Sequence, residues 1–243
     1  IGELLEPIYI ENQDFRKLEP LLNALLSHVE PGDELSAALH RIAQLNLSEL
    51  DAPERAFDYY LRAVQTYPGD DDARQEVAKL AELTNRWADL AGLYDQLLVS
   101  STDTELNRSM SIEVASIHRD RLNEPARARA VYEAVVSSVD PTDLDALTGL
   151  SELYEQDAAW PELVQNLARL VDVTYEDQDR IKYLSRAGEI LEMHMADVET
   201  ATHRYCDVLE IEPCHGATLV RLARIYEASE AYESLFDIYQ RQL

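Results

Sequence analysis

An internal repeat of about 72 residues constrains this chain more than any other feature of it. Phe15, Trp87, Trp160 and Tyr232 follow one another at intervals of 72, 73 and 72 residues. Three residues after each stands a leucine (Leu18, Leu90, Leu163, Leu235), and four further on stand Leu22, Tyr94, Leu167 and Tyr239. Offsets of three and then four place these side chains on one face of a helix. A second kind of unit lies between them. Pro53-Glu54-Arg55-Ala56, Pro125-Ala126-Arg127-Ala128 and Val198-Glu199-Thr200-Ala201 each lead to a tyrosine, Tyr60, Tyr132 and Tyr205, and prolines close these units at Pro68, Pro141 and Pro213. The period is therefore a doublet of two related helical units.

The helix ahead of each aromatic position aligns as well. A small residue follows an apolar one at Ile42-Ala43, Val77-Ala78, Val114-Ala115, Leu150-Ser151, Ala187-Gly188 and Leu222-Ala223. A small side chain at a fixed place lets two antiparallel helices approach closely. Seven motifs result, running roughly 1–30, 33–68, 70–101, 104–140, 143–176, 178–213 and 215–243. Each has room for two helices of ~10 to 17 residues with short connections. Stop and start signals agree, with Pro31-Gly32-Asp33, Pro68-Gly69-Asp70 and Pro141-Thr142-Asp143 ending one helix and offering an acid to cap the next.

A unit of this length, with an apolar-small pair, an aromatic at the turn, Ala, Tyr and a terminal Pro, resembles the tetratricopeptide repeat (TPR). Leu150 to Val171 and Ala56 to Pro68 match its two helices well, and the resemblance covers essentially the whole chain. It implies an all-α, right-handed α-solenoid of about seven hairpins, a single array over 1–243, with a concave groove lined by the first helices. The doublet style is similar to long tandem-repeat proteins of bacteria, of which this would be a segment. Three departures carry consequences. Alternate motifs replace the small Ala of the second helix by Leu18, Leu90, Leu163 or Leu235, which should open the helix spacing there. The Ala-bearing motifs carry about one extra residue between their helices. In the first motif Glu6 takes the small site, and Pro7 and Pro20 fall inside expected helices, predicting a short or kinked pair.

Composition narrows the function classes. A net charge of −26, from 47 acidic and 21 basic residues, repels phosphate backbones and anionic lipid. Nucleic-acid and membrane-surface partners are thus disfavoured, and a cationic protein or peptide is favoured. No apolar run approaches the ~18 residues of a membrane span. The chain opens on Ile1 with no charged-then-apolar leader, so the native N-terminus is expected upstream and the compartment is not legible. Two cysteines make no disulfide framework.

The densest group of groove-facing charges is Glu152, Glu155, Glu189 and Glu192, with Asp145 close by, on two adjacent first helices. It predicts a recognition patch for an Arg- or Lys-bearing partner, against the plainer alternative of a solvated face on an acidic chain. TPR domains that capture an acidic C-terminal tail use a basic clamp. Here only Lys79, Arg119, Lys182 and Arg224 are available, interleaved with acids, which argues against that ligand class. The candidate metal set is His203, Cys206, Cys214 and His215, a Cys2His2 composition whose spacing fits no standard zinc pattern. His28, His40, His118 and His194 fit structural roles better than catalytic ones. No phosphate loop, zinc-protease or nucleophile-elbow motif occurs, so no cofactor and no enzyme activity is expected. Nine tyrosines (Tyr9, Tyr60, Tyr94, Tyr132, Tyr154, Tyr205, Tyr226, Tyr232, Tyr239) fall at packing positions. Asn46-Leu47-Ser48 and Asn107-Arg108-Ser109 match the glycosylation triplet but lie on predicted helices. The leading reading is a non-catalytic protein-interaction scaffold with a mildly acidic groove. The alternatives are a structural spacer or self-associating segment, suggested by the apolar faces at 1–10 and 235–243, and, more distantly, a metal or enzyme site.

Overall fold

A computed structural model describes residues 2–241, and among these the chain is all-α, with no strand. Its helices are α1 (Gly2–Glu11), α2 (Phe15–Leu25), α3 (Asp33–Ser48), α4 (Pro53–Thr66), α5 (Asp71–Thr84), α6 (Trp87–Ser100), α7 (Thr104–Asp120), α8 (Pro125–Ala134), α9 (Leu144–Gln156), α10 (Trp160–Val173), α11 (Asp177–Met193), α12 (Val198–Ile211), α13 (Gly216–Ala228) and α14 (Tyr232–Arg241). A 3-10 turn, Leu26–His28, follows α2, and a π-helical turn, Val135–Val139, follows α8. They form seven consecutive helix–turn–helix pairs, the all-α helical-repeat fold that the TPR resemblance implies. The chain divides into two compact units, Ile1–Ala128 and Arg129–Leu243. Ile1 and Leu243, the outer bounds of the two apolar faces expected at the chain ends, lie outside the described residues.

Each of the seven intra-pair turns contains one residue in the left-handed region: Gln13, Asp51, Asn85, Asn123, Ala158, Ala196 and Glu230, with φ between 48° and 58°. None is glycine, so the side chain bears a steric cost for L-residues at each turn. The turns alternate in length. In the Leu-bearing pairs the amide after the left-handed residue reaches back five residues, as Arg86 N–H to the Ala81 carbonyl and Ala159 N–H to the Tyr154 carbonyl. In the Ala-bearing pairs it reaches back six, as Ala52 N–H to Asn46, Glu124 N–H to His118 and Asp197 N–H to Leu191. The extra residue of the doublet is thus taken up at the turn.

Helix spacing alternates too. Ala56, Ala128 and Ala201 are fully buried, and the small residues Ala43, Ala115 and Gly188 ahead of them are sealed from solvent. Where the second helix carries Leu90, Leu163 or Leu235, the matching Ala78, Ser151 and Ala223 stay half-buried. The α3/α4 and α11/α12 pairs pack closely along their length, whereas α5/α6 is more open. In α11 a Cβ placed on Gly188, at the small position, would lie 2.5 Å from the Tyr205 ring, and in α9 one on Gly149, two residues before Ser151, would lie 2.6 Å from the Tyr132 ring. In the Arg129–Leu243 unit, Tyr205, Leu209, Leu219, Leu222, Ile225 and Ile238 form a core joining α12, α13 and α14.

Helix starts follow local chemistry. Asp70, Asp103, Asp143 and Asp197 are N-caps whose carboxylates accept from Ala73, Leu106, Ala146 and Thr200 amides. Asp33 does not cap. The cap is Gly32, at φ 123°, and Asp33 sits in the first turn of α3. With Pro20 inside it α2 reaches only 11 residues, against 14 to 17 for α3 to α7, and α1 carries Pro7 within Gly2–Glu11. Tyr60, Tyr94, Tyr132 and Tyr205 are core residues, but Tyr232 and Tyr239 are exposed, because no helix follows α14 among the described residues to cover them.

Candidate functional site

On the α9/α10 pair, whose second helix carries Leu163 in place of alanine, a cleft of about 600 Å³ opens between α9, α10 and α11. Its wall includes the half-buried Ser151, and its floor is apolar, with Leu167, Leu170 and Ile181. Glu152 and Glu155 of α9 and Glu189, Lys182, Ser185 and Arg186 of α11 make the polar rim, and His215 closes one end. The rim positions stand at offsets of three and four along each first helix, which keeps those of one helix on one face. The Ser185 hydroxyl, buried at its oxygen, finds no hydrogen-bond partner among the described residues.

Three of the five expected recognition residues, Glu152, Glu155 and Glu189, line this cleft. Glu192 lies half-buried outside it, and Asp145 is exposed in the first turn of α9, away from the cleft wall. The group is not a bare acidic patch. Arg186 pairs with Glu155 of the preceding helix pair and, at 3.2 Å, with Glu189 of its own helix. Arg221 of α13 pairs with the other oxygen of Glu189 at 2.6 Å and with Glu192 at 3.3 Å. The Tyr205 hydroxyl donates to Glu192 at 2.8 Å. Burial opposes the Arg221 charge, yet Tyr205, Glu189 and Glu192 around it hold its pKa above the ordinary guanidinium value. Burial, then the bond to Glu192, pushes the Tyr205 phenol upward.

Arg186 and Arg221 are the charged members of this group that the sequence pattern alone does not pick out. Their position carries a signal: Arg41, Arg186 and Arg221 each stand two residues before the small position of a first helix. Arg41 uses that place in the same way, pairing with Glu6 one helix pair earlier.

A smaller cleft of about 310 Å³ opens in the Ile1–Ala128 unit beside Leu90 and the half-buried Ala78. There the Arg121 guanidinium lies 5.0 Å over Trp87, whose indole N–H donates to Glu82 at 2.9 Å. The Tyr94 hydroxyl donates to Glu113 at 2.8 Å. In the other unit Trp160 stacks on His194 at 4.0 Å.

The remaining candidates are placed in other roles. His215 is the N-cap residue of α13, with Nδ1 2.8 Å from the Thr218 hydroxyl. The Cys206 thiol lies 3.9 Å from the Tyr226 hydroxyl, Cys214 is exposed, and both cysteines are free. His203 is exposed. Among the described residues no three His, Cys, Asp or Glu side chains gather as a metal site. His118 is buried, its Nδ1 2.9 Å from Glu124 and its Nε2 3.6 Å from Asp95. His40 meets Tyr60 edge-on at 4.7 Å. Lys79 and Arg119 pair with Glu76 and Asp120, so two members of any basic clamp are already engaged. Asn46 is fully buried in α3 and donates to the Ile42 carbonyl, which removes it as a glycosylation acceptor. No helix among the described residues is long and apolar enough to cross a membrane.

No protein-family profile matches the sequence, and no curated protein matches it. Among solved structures it is similar to YrrB, described as a TPR protein with an unusual peptide-binding site, at 15% identity over 76% of this chain and 91% of that one, with a TM-score of 0.47. MamA from Desulfovibrio magneticus RS-1 matches at 20% identity over 74% of this chain and 97% of that one, with a TM-score of 0.46. A tetratricopeptide repeat protein from Parabacteroides merdae ATCC 43184 matches at 13% identity over 99% and 90% respectively, with a TM-score of 0.42.

Proposed function

We propose that this chain is a non-catalytic protein–protein interaction scaffold that presents the mildly acidic cleft of its 129–243 unit to a basic partner protein or peptide. The cleft itself carries this reading. An apolar floor of Leu167, Leu170 and Ile181 under a rim of carboxylates is built as a protein interface is, with a dry centre and a polar edge. Among the charges lining it Glu152, Glu155 and Glu189 outnumber Lys182 and Arg186, leaving a net negative rim. The carboxylates engage arginines rather than one another, an arrangement suited to recognition rather than to an acid–base pair. A partner's guanidinium must compete with Arg186 and Arg221, which predicts modest, salt-sensitive affinity.

The test is fluorescence anisotropy with labelled 12-residue peptides, one rich in arginine, one in glutamate and one neutral, at two salt concentrations. The arginine peptide should bind, and a Glu152→Gln/Glu155→Gln/Glu189→Gln variant should bind it about tenfold more weakly. That variant leaves most of the −26 charge in place, so equal binding would show that bulk charge, not the cleft, attracts the peptide. A second reading, a self-associating spacer, is favoured by the exposed Tyr232, Phe236 and Tyr239 on α14. Light scattering against concentration separates the two.

A further inference from the structure

Glu189 stands in the cleft with its two oxygens claimed by arginines from different helix pairs. Its Oε2 takes Arg186 of its own helix at 3.2 Å, and its Oε1 takes Arg221 of α13 at 2.6 Å. Arg221 continues inward. Its other terminal nitrogen reaches Glu192 at 3.3 Å, and its guanidinium lies 6.0 Å from the centre of the Tyr205 ring. Tyr205 is fully buried, bound to Glu192 through its hydroxyl, and pressed against the backbone of Gly188. The same ring belongs to the core that holds α13 and α14 through Leu219, Leu222 and Ile238. A continuous series of contacts therefore runs from the cleft rim to the packing of the last helix pair.

We propose that the shared Glu189 carboxylate couples the state of the cleft to the packing of α13 and α14. Arg186 and Arg221 draw on the charge of one carboxylate through its two oxygens, so the loss of one guanidinium leaves the whole charge to the other. Contiguity alone does not establish coupling, and opposite responses to perturbing the two sides do. This coupling belongs to the free protein and does not depend on the identity or existence of a cleft partner.

Amide hydrogen exchange of the intact chain reads it directly, with residues 216–241 as the reporter and residues 33–66 of the other unit as the internal reference. Glu189→Gln and Arg221→Gln should each speed exchange in the reporter by about three- to tenfold, with the reference unchanged. The double variant should be no faster than the faster single one, because the two substitutions break the same link. Arg186→Gln leaves Glu189 to Arg221 alone and should slow exchange in the reporter by about twofold or more. A purely structural ion pair would make every one of these substitutions speed exchange. The proposal is overturned if Arg186→Gln speeds exchange or leaves it unchanged, if the two single effects multiply in the double variant, or if Glu189→Gln leaves the reporter within twofold of the wild type.

Discussion

Replacing Gly188 by alanine should destabilise this protein, while the same replacement at Gly92 should stabilise it. Both glycines lie inside helices, α11 and α6, where alanine is favoured by ~1 kcal/mol on conformational grounds alone. At Gly92 a new Cβ meets no heavy atom within 4 Å, so most of that gain should appear. At Gly188 the new Cβ would stand 2.5 Å from one carbon of the Tyr205 ring and 2.9 Å from two more. Ordinary contact needs about 3.4 Å or more, so the ring or α11 must yield by nearly an ångström. Tyr205 is fully buried and its hydroxyl is fixed on Glu192, so the ring cannot rotate away without losing that bond. Overpacking of this kind costs ~1–3 kcal/mol, and the strained bond to a carboxylate adds ~1.5–3 kcal/mol if it breaks. Against the propensity gain, Gly188→Ala should lose about 1–3 kcal/mol net. Urea unfolding followed by circular dichroism measures both variants, Gly92→Ala moving the midpoint up by the equivalent of ~0.5–1 kcal/mol. If Gly188→Ala proves as stable as the wild type, the close approach of α12 to α11 does not require a bare backbone, and the account of the small position is refuted.

Relief of the left-handed turns offers a second test. Ala158→Gly and Ala196→Gly should each stabilise the Arg129–Leu243 unit by about 0.5–1 kcal/mol in urea unfolding, since both alanines sit at φ near 54°. The pH dependence has a definite sign at Asp197, whose pKa is lowered by the Thr200 hydroxyl first and the Thr200 amide second. A lowered carboxyl contributes stability that is full above the unfolded value of about 3.9 and is lost as pH falls through the folded value. The unfolding midpoint should therefore fall on acidification in this window, and fall less steeply in Asp197→Asn. Tyr154 has its phenol raised to about 12 by burial and by its bond to Glu133. A raised phenol contributes stability below the unfolded value of about 10 that is lost as pH rises toward 12. Absorbance titration should show Tyr154→Phe removing one late-titrating group.

The periodicity of Phe15, Trp87, Trp160 and Tyr232 and the doublet of Leu and Ala positions were enough to read the fold, because packing of successive helices demands the same side-chain size at the same place. What escaped was set by contacts between repeats rather than within them. Arg186 and Arg221 look like ordinary surface arginines until the neighbouring helix pair brings Glu155, Glu189 and Glu192 against them, which turned an apparently bare acidic patch into a paired one. The turns escaped for the opposite reason. A left-handed residue is usually announced by glycine or asparagine, and only Asn85 and Asn123 give that signal, while Gln13, Asp51, Ala158, Ala196 and Glu230 do not. Register alone marks Tyr232 and Tyr239 as packing positions, yet register decides burial only where a further helix covers the face.

The doublet gives the clefts a cause that can be tested at a single position. Leu163 is buried between α9 and α10, at the place where the closely packed pairs carry alanine. If its bulk is what keeps Ser151 half-exposed on the cleft wall, Leu163→Ala should let α10 settle toward α9 and narrow the 600 Å³ space. Removing a buried leucine costs ~2–5 kcal/mol, and the lower end applies where the surroundings collapse onto the gap. A loss near 2 kcal/mol is therefore expected, in contrast to Leu153→Ala, a buried leucine outside the cleft lining, which should cost more. Narrowing can be followed chemically by placing a thiol on the wall with Ser151→Cys, in a background where Cys206 and Cys214 are replaced by serine. The rate of labelling by a neutral maleimide should drop several-fold when Leu163→Ala is added. An unchanged or faster rate would mean that the cleft is held open by the ion pairs of Arg186 and Arg221 rather than by the alternation of large and small residues, and the Glu155→Gln/Glu189→Gln variant measured in the same way would then show the drop instead.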